Sequence, residues 1–278
     1  MDDIIEELRR QTEGDSTFIH IRNVDLSELP IPEFVLGGHN PGLYELQFDS
    51  CKLKTIPEAV FQKKELRILD VTNNEIQTLP EKISNLKYLY SLTLTENKLV
   101  EIHPAICQLK QLVYLDIQEN ELKTIPNCLS ECQLLKGFSL GNNPLERVPS
   151  WLGELTLLED LDVAGLFSKE LPDWITKLTK LKDLRIDDNN LTSLPKEFAV
   201  FKHLETLSLS GNPFKVVPEV IYEFPNLEEL SLNDTQITEL PENLLSMKHL
   251  NYIEICNSGI TDLPKVWKEQ KKINVVLK

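Results

Sequence analysis

The stretch Leu66-Arg67-Ile68-Leu69-Asp70-Val71-Thr72-Asn73-Asn74-Glu75-Ile76-Gln77-Thr78-Leu79-Pro80 decides how the rest of the chain is read. Its pattern, L-x-x-L-x-L-x-x-N-x-L-x-x-L-P, returns with little drift. The second apolar position recurs at Leu46, Leu69, Leu92, Leu115, Phe138, Leu161, Leu184, Leu207, Leu230, Ile253 and Val276, every interval being 23 residues. A constant period of this size is the signature of a solenoid, in which each repeat buries its apolar face against the next.

Counting Leu66 as position 1, the segment L-x-x-L-x-L alternates apolar and polar residues and predicts a short strand with positions 4 and 6 pointing inward. The same segment one period later lies beside it, giving a parallel sheet. Leu-Pro then turns the chain, and an apolar pair such as Ile83 and Leu86 closes the outer wall through a helical or 3₁₀ turn. The expected fold is α/β: a horseshoe with a concave parallel sheet and short helical segments on the convex side. Residues 2–16 read as an amphipathic helix with Ile4, Ile5 and Leu8 on one face and Gly14 as its stop. The expected organisation is an N-terminal capping helix over 1–16 and a repeat domain over 17–278. That domain comprises one degenerate repeat (Ile19 to Pro30), ten regular repeats and a partial one ending in Ile273-Asn274-Val275-Val276. Residues 31–42 lengthen the degenerate repeat by four residues. Their Gly37-Gly38-His39-Asn40-Pro41-Gly42 lacks the Lys-Ser or Lys-Thr of a phosphate loop. The last strand needs its edge blunted, by Lys271, Lys272 and Lys278, or paired.

Composition narrows the partners. There are 44 acidic residues against 29 Lys and Arg, a formal charge of −15, which opposes nucleic acid and anionic membranes and favours a cationic protein surface. No apolar run approaches the ~18 residues that would span a bilayer, and the acidic start is not a secretory signal. The chain as given reads as cytoplasmic, with export left open. Cys51, Cys107, Cys128, Cys132 and Cys256 are odd in number and lack cap spacing, so buried free thiols in a reducing compartment are expected, with Cys128 and Cys132 close on one turn. No zinc-ligand set accompanies them.

Position 9 carries Asn74, Asn97, Asn120, Asn143, Asn189 and Asn212. An amide has donors and an acceptor, so such a column is expected to satisfy the backbone of successive buried turns. Cys51, Leu166, Thr235 and Ser258 interrupt it. The repeat holding Leu166 also has Ser168 in a normally apolar position, and a local shift of Leu166 or Phe167 would refill that pocket. Trp151 and Trp174 occupy equivalent positions and are expected to stack, partly buried, on the outer wall.

Val71-Thr72-Asn73-Asn74-Glu75-Ile76-Gln77-Thr78-Leu79-Pro80-Glu81-Lys82-Ile83-Ser84-Asn85-Leu86 resembles the leucine-rich repeats with an L-P-x-x-Φ outer segment. These occur in bacterial proteins, including a large spirochaete set, and in eukaryotic Ras-associated and plant intracellular relatives. The resemblance covers roughly residues 17–278 and implies protein–protein recognition on the concave sheet, a host protein being one candidate partner.

The concave face is set by positions 3, 5 and 7. Of these thirty positions in the regular repeats ten are acidic and only Arg185 is basic, so charge is the face's main character. The candidate partner-binding residues are Tyr114, Asp116, Asp160, Asp162, Asp183, Arg185, Asp187, Glu229, Tyr252 and Glu254, centred on Asp160, Asp162, Asp183, Arg185 and Asp187. Asp160 should face Asp183 across one strand gap, and Asp162 should face Arg185. Calcium could bridge such carboxylates, but no loop spacing wraps an ion, and no metal or other cofactor is expected. His20, His39, His103, His203 and His249 are scattered, so no nucleophile–base set assembles. An open sheet gives a carboxylate pair no means of raising one pKa. The expectation is therefore a non-enzymatic interaction module, monomeric or dimerising through an edge strand. The competing reading is a sensor or scaffold segment of a larger signalling or effector protein.

Overall fold

The apolar positions 4 and 6 drive the strands: Leu46 and Phe48, Leu69 and Val71, Leu92 and Leu94 are each fully buried, while the polar residues between them, Gln47, Asp70 and Thr93, are half-buried on the other face. A computed structural model describes residues 2–12, 17–27, 36, 42–167 and 169–277. They fall into two compact units, Met1–Pro149 and Ser150–Lys278.

In the first unit the helix Asp2–Thr12 seats Leu8, 1% exposed, and packs beside the strand Phe18–Arg22. Its stop at Gly14 lies outside the described residues, as do the loop Gly37–Pro41 and Leu29-Pro30. Strands Phe18–Arg22, Glu45–Asp49, Ile68–Asp70, Ser91–Thr93, Tyr114–Asp116 and Gly137–Ser139 pair in that order, all parallel. Their register runs Ile19, Leu46, Leu69, Leu92, Leu115, Phe138, so residues one period apart sit on adjacent rungs. The four-residue insertion is absorbed before Glu45 without disturbing that register.

The outer wall consists of 3₁₀ turns Glu58–Gln62, Glu81–Asn85, Pro104–Gln108 and Asn127–Glu131. A proline precedes most of them with φ near −60 to −76°. His103 stands in for it in one repeat, where its Nδ1 accepts a hydrogen bond from the Ala105 N–H at 3.2 Å and caps the turn.

One expectation fails here. Cys107 and Cys128 form a disulfide between adjacent outer turns. They are 21 residues apart, two short of a period, and that offset sets them diagonally opposite on neighbouring 3₁₀ segments. Cys51 and Cys132 are buried thiols and Cys256 a half-buried one; Cys128 and Cys132 do share one turn, Cys132 at its C-terminal end, but Cys128 is bonded to Cys107. Burial raises the Cys51 thiol to about 11.

The second unit repeats the plan with strands Asp160–Asp162, Asp183–Arg185, Thr206–Ser208, Glu229–Ser231, Tyr252–Glu254 and Asn274–Val276. Leu161, Leu184, Leu207, Leu230 and Ile253 are in register. The last strand corrects the sequence reading: Ile253 faces Val275, and Val276 faces Glu254, one residue off the period. The preceding Lys265–Glu269 is α-helical and seats Trp267, whose Nε1 donates to the Leu240 carbonyl at 3.0 Å. Lys272 does not stand out as a charged edge guard. Its Nζ donates to the Leu245 and Met247 carbonyls of the previous turn. Lys278 lies outside the described residues. Trp174 is buried against Gly153, where a Cβ would stand 2.8 Å from the tryptophan Cβ, while Trp151 is half-buried.

At position 8 of every described repeat the chain turns through the left-handed region, φ 52–68°, at Asn23, Ser50, Asn73, Glu96, Glu119, Asn142, Gly165, Asp188, Gly211, Asp234 and Asn257. That turn ends each strand and swings position 9 inward.

Candidate interaction face

Position 9 shows what the inward swing accomplishes. In the first unit the Asn74 Oδ1 accepts from the N–H groups of Cys51 and Leu53, and its Nδ2 donates to the Phe48 and Val71 carbonyls. Asn97 takes the Ile76 N–H and gives to the Val71 and Leu94 carbonyls. Asn120 takes Leu99 and gives to Leu94 and Ile117, and Asn143 takes Leu122 and gives to Ile117 and Leu140. Each amide thus bridges its own turn and the one before, and all are buried.

In the second unit Asn212 does the same for Asn189, Leu191 and Ile186. Asn189 accepts from the Phe167 N–H at 2.6 Å, 22 residues back where the other repeats show 21. That one-residue slip is the distortion at Leu166. Leu166 and Phe167 are both only half-buried, so neither refills a core position completely, and Ser168 lies outside the described residues. Thr235 and Ser258 make single hydrogen bonds where an asparagine would make several.

On the opposite side, the second unit places Asp160 beside Asp183 and Asp162 beside Arg185 across one strand gap. Arg185 nevertheless turns along its own strand to Asp183, Nη2 to Oδ2 3.3 Å. Neighbouring acids, Asp183 first, raise its pKa. Partial desolvation, then the like charge of Asp183, raises the Asp160 carboxyl. The sheet is therefore less indifferent to this pair than its openness suggests. Asp187 is raised chiefly by burial although it accepts the Ser208 hydroxyl at 2.5 Å and the Ser210 N–H at 2.6 Å. Glu254 accepts from the Tyr252 hydroxyl and from Asn233 Nδ2, at 2.8 and 3.0 Å. Glu229 is exposed between the Thr206 and Tyr252 rungs.

In the first unit Tyr114 and Asp116 lie on one strand, Tyr114 38% exposed with its ring edge-on to Tyr90 at 5.5 Å. His20 Nε2 meets Glu45 Oε1 at 2.9 Å, and Gln47 donates to the same oxygen at 2.7 Å.

A second role for several acids went unread in the sequence. At position 5, Asp70 accepts the Thr72 N–H, Asp116 the Gln118 N–H and Asp162 the Ala164 N–H, at 2.9, 3.1 and 2.9 Å. Each carboxylate holds the backbone two residues on, a turn aspartates make readily, and it ends the strand ahead of the left-handed residue. Aspartate at this spacing was the available signal. Position-5 acids are thus partly structural, whereas Asp160, Asp183 and Glu229 at position 3 project from the sheet. Among the described residues no group of three or more His, Cys, Asp or Glu is arranged to hold a metal ion.

Comparison with known proteins agrees with this geometry. A family model described as leucine rich repeat matches residues 87–145 and 171–214, and a related one matches residues 65–86. No curated protein matches the sequence. A leucine-rich repeat protein of Leptospira interrogans has a similar structure, TM-score 0.72, at 31% identity over 85% of this chain and 61% of that one. The present chain therefore spans less than two thirds of that relative. An internalin of Listeria monocytogenes is similar in fold at 18% identity, TM-score 0.69, covering 98% of this chain and 88% of its own. A plant peptide hormone receptor, solved in complex with RGF2, is similar in fold at 21% identity, TM-score 0.62, with 86% and 48% covered. With the period, the parallel rungs and the buried asparagines all of one type, the chain has the fold of a leucine-rich repeat solenoid.

Proposed function

We propose that this protein is an interaction module whose acidic sheet face takes a cationic surface of a partner protein. One observation carries the reading: Asp160, Asp183 and Glu229 stand at position 3 of the second unit, and the two cations beside them are already engaged, Arg185 by Asp183 and Lys182 by Glu159. Asp160 is raised first by desolvation and then by the like charges of Asp183 and Glu159, and a lysine or arginine from outside would relieve the charge part. Tyr252, on the rung next to Glu229, supplies a flat, amphipathic contact. The Cys107–Cys128 disulfide supports a working environment that is oxidising rather than reducing.

The test uses an acetylated Lys-Ala-Lys-Ala-Lys-Ala amide as probe, with the Glu-for-Lys peptide as control. Wild type is expected to bind the lysine peptide, less tightly as salt rises. The triple variant Asp160→Lys, Asp162→Lys, Asp183→Lys should lose at least roughly tenfold in affinity, with the melting temperature moved by only a few degrees. Equal binding by wild type and triple variant would remove this face from consideration.

A further inference from the structure

A different surface of the first unit has the opposite chemistry. Where its strands begin, the position-2 residues are linked rung to rung through the backbone. The Arg67 N–H donates to the Tyr44 carbonyl at 2.8 Å and the Tyr90 N–H to the Arg67 carbonyl at 2.7 Å. Tyr44, Arg67 and Tyr90 therefore form one column, and Tyr88, two residues before Tyr90, lies under the Arg67 guanidinium at 5.0 Å from its ring centroid. Tyr44, Tyr88 and Tyr90 are 51%, 47% and 40% exposed, an unusual density of open aromatic surface on one edge.

The cations here are equally out of character. In the same unit Lys52, Lys82, Lys98 and Lys110 all meet carboxylates, as an acidic protein would lead one to expect. Lys64, Arg67 and Lys87 have no carboxylate partner among the described residues. Lys64 and Lys87 line a surface cleft of about 540 Å³ with Tyr88, in which Glu65 is the single acid. A guanidinium over an aromatic ring still has its fork of N–H donors to offer, and such a fork grips a carboxylate with two parallel bonds. The tyrosine faces accept apolar side chains at little entropic cost.

We infer that this edge is a docking surface for an extended segment of a partner protein in which acidic side chains alternate with apolar ones. Two rungs at about 4.8 Å separate Tyr44 from Tyr90, which about three extended residues cross. A polyphosphate is disfavoured, because it has no apolar groups to lay on the exposed faces of Tyr44, Tyr88 and Tyr90. This surface is independent of the acidic face proposed above, and probes of opposite charge tell the two apart.

The probe is an acetylated Glu-Leu-Glu-Leu-Glu-Leu amide titrated into the isotope-labelled full chain, with Lys-for-Glu and Gln-for-Glu peptides alongside. Amide shifts are expected at residues 64–67 and 87–90 with the glutamate peptide. Arg67→Gln, Lys87→Gln and Tyr88→Ala should each weaken it by roughly fivefold or more. Lys87→Gln alters only an exposed side chain, so folding does not obscure the result, and the Asp160→Lys, Asp162→Lys, Asp183→Lys variant should bind this peptide as wild type does. The inference is overturned by no shift at these residues up to millimolar peptide, by equal binding of the lysine or glutamine peptide there, by indifference of all three edge variants, or by tighter binding of a thymidine hexanucleotide at the same residues.

Discussion

The two units are built from one repeat yet spend their side chains differently. The first has four consecutive buried asparagines and a disulfide clamping two outer turns, and at position 2 it shows Tyr44, Arg67, Tyr90, Val113 and Lys136. The second has two asparagines, a slipped turn at Phe167 and then Thr235 and Ser258, with position 2 reading Glu159, Lys182, Glu205, Glu228 and Asn251. A rung's interior is constrained by the rungs on either side of it, because the same amide satisfies two turns. Its exterior, apart from the position-5 acids that end the strands, is left free by the fold, so recognition chemistry can change sign from one unit to the next.

The sharpest way to break that contrast is to remove an asparagine. Asn97→Ala strands the Ile76 N–H in the core and leaves the Val71 and Leu94 carbonyls with only the Asn74 and Asn120 amides, and a loss of about 3 kcal/mol is expected by denaturant titration. Thr235→Ala, which forfeits one hydrogen bond to Leu232, should cost about 1 kcal/mol, and equal costs would refute the difference drawn between the ladders.

Next in size is the clamp. Closing a loop between residues 21 apart is worth about 3 kcal/mol through the unfolded state. Cys107→Ser with Cys128→Ser, or a reductant, should lower the unfolding transition of the first unit by that amount. Hydrogen exchange resolves the two units, and protection around Leu207 and Leu230 should stay unchanged.

A smaller effect, of opposite sign, belongs to the second unit. Because the folded-state pKa of Asp160 is raised, the folded chain holds that proton more readily than the unfolded one. The associated stability is present below the unfolded carboxylate value and is lost as pH rises through the folded one. Asp160→Asn should therefore gain up to about 1 kcal/mol at neutral pH, and the gain should vanish as pH falls into the ordinary carboxylate range. A gain independent of pH would assign it to something other than charge.

The smallest effect returns to the first unit. Thr95 Oγ1 is buried with no protein partner among the described residues. Thr95→Val keeps the shape and removes the orphaned hydroxyl, so a rise of about 0.5 kcal/mol in stability is expected by thermal melting.

Much of this was legible beforehand, for a physical reason. Period, strand face and the asparagine column all follow from burial, which leaves its mark residue by residue, and Asp160 opposite Asp183 followed from the register alone. The last strand misled because Val275 and Val276 are both apolar and β-branched, so hydropathy could not tell which points inward. The disulfide was missed because cysteines were counted along the chain, whereas in a solenoid a separation near one period means contact. Side-chain choices that burial does not dictate, such as Arg185 turning to Asp183 or Arg67 lying on Tyr88, had no sequence signature.

The left-handed residue at position 8 has a consequence for how such a chain can grow or shrink. Since every described turn passes through the same backbone conformation at the same place, cutting at two equivalent positions leaves ends that already match in direction and in hydrogen-bonding state. Loss or gain of one whole period is then a change of length without a change of grammar. A change of any other size has to be taken up within the one repeat that carries it, as the four extra residues before Glu45 are, while the rungs on either side keep their own register.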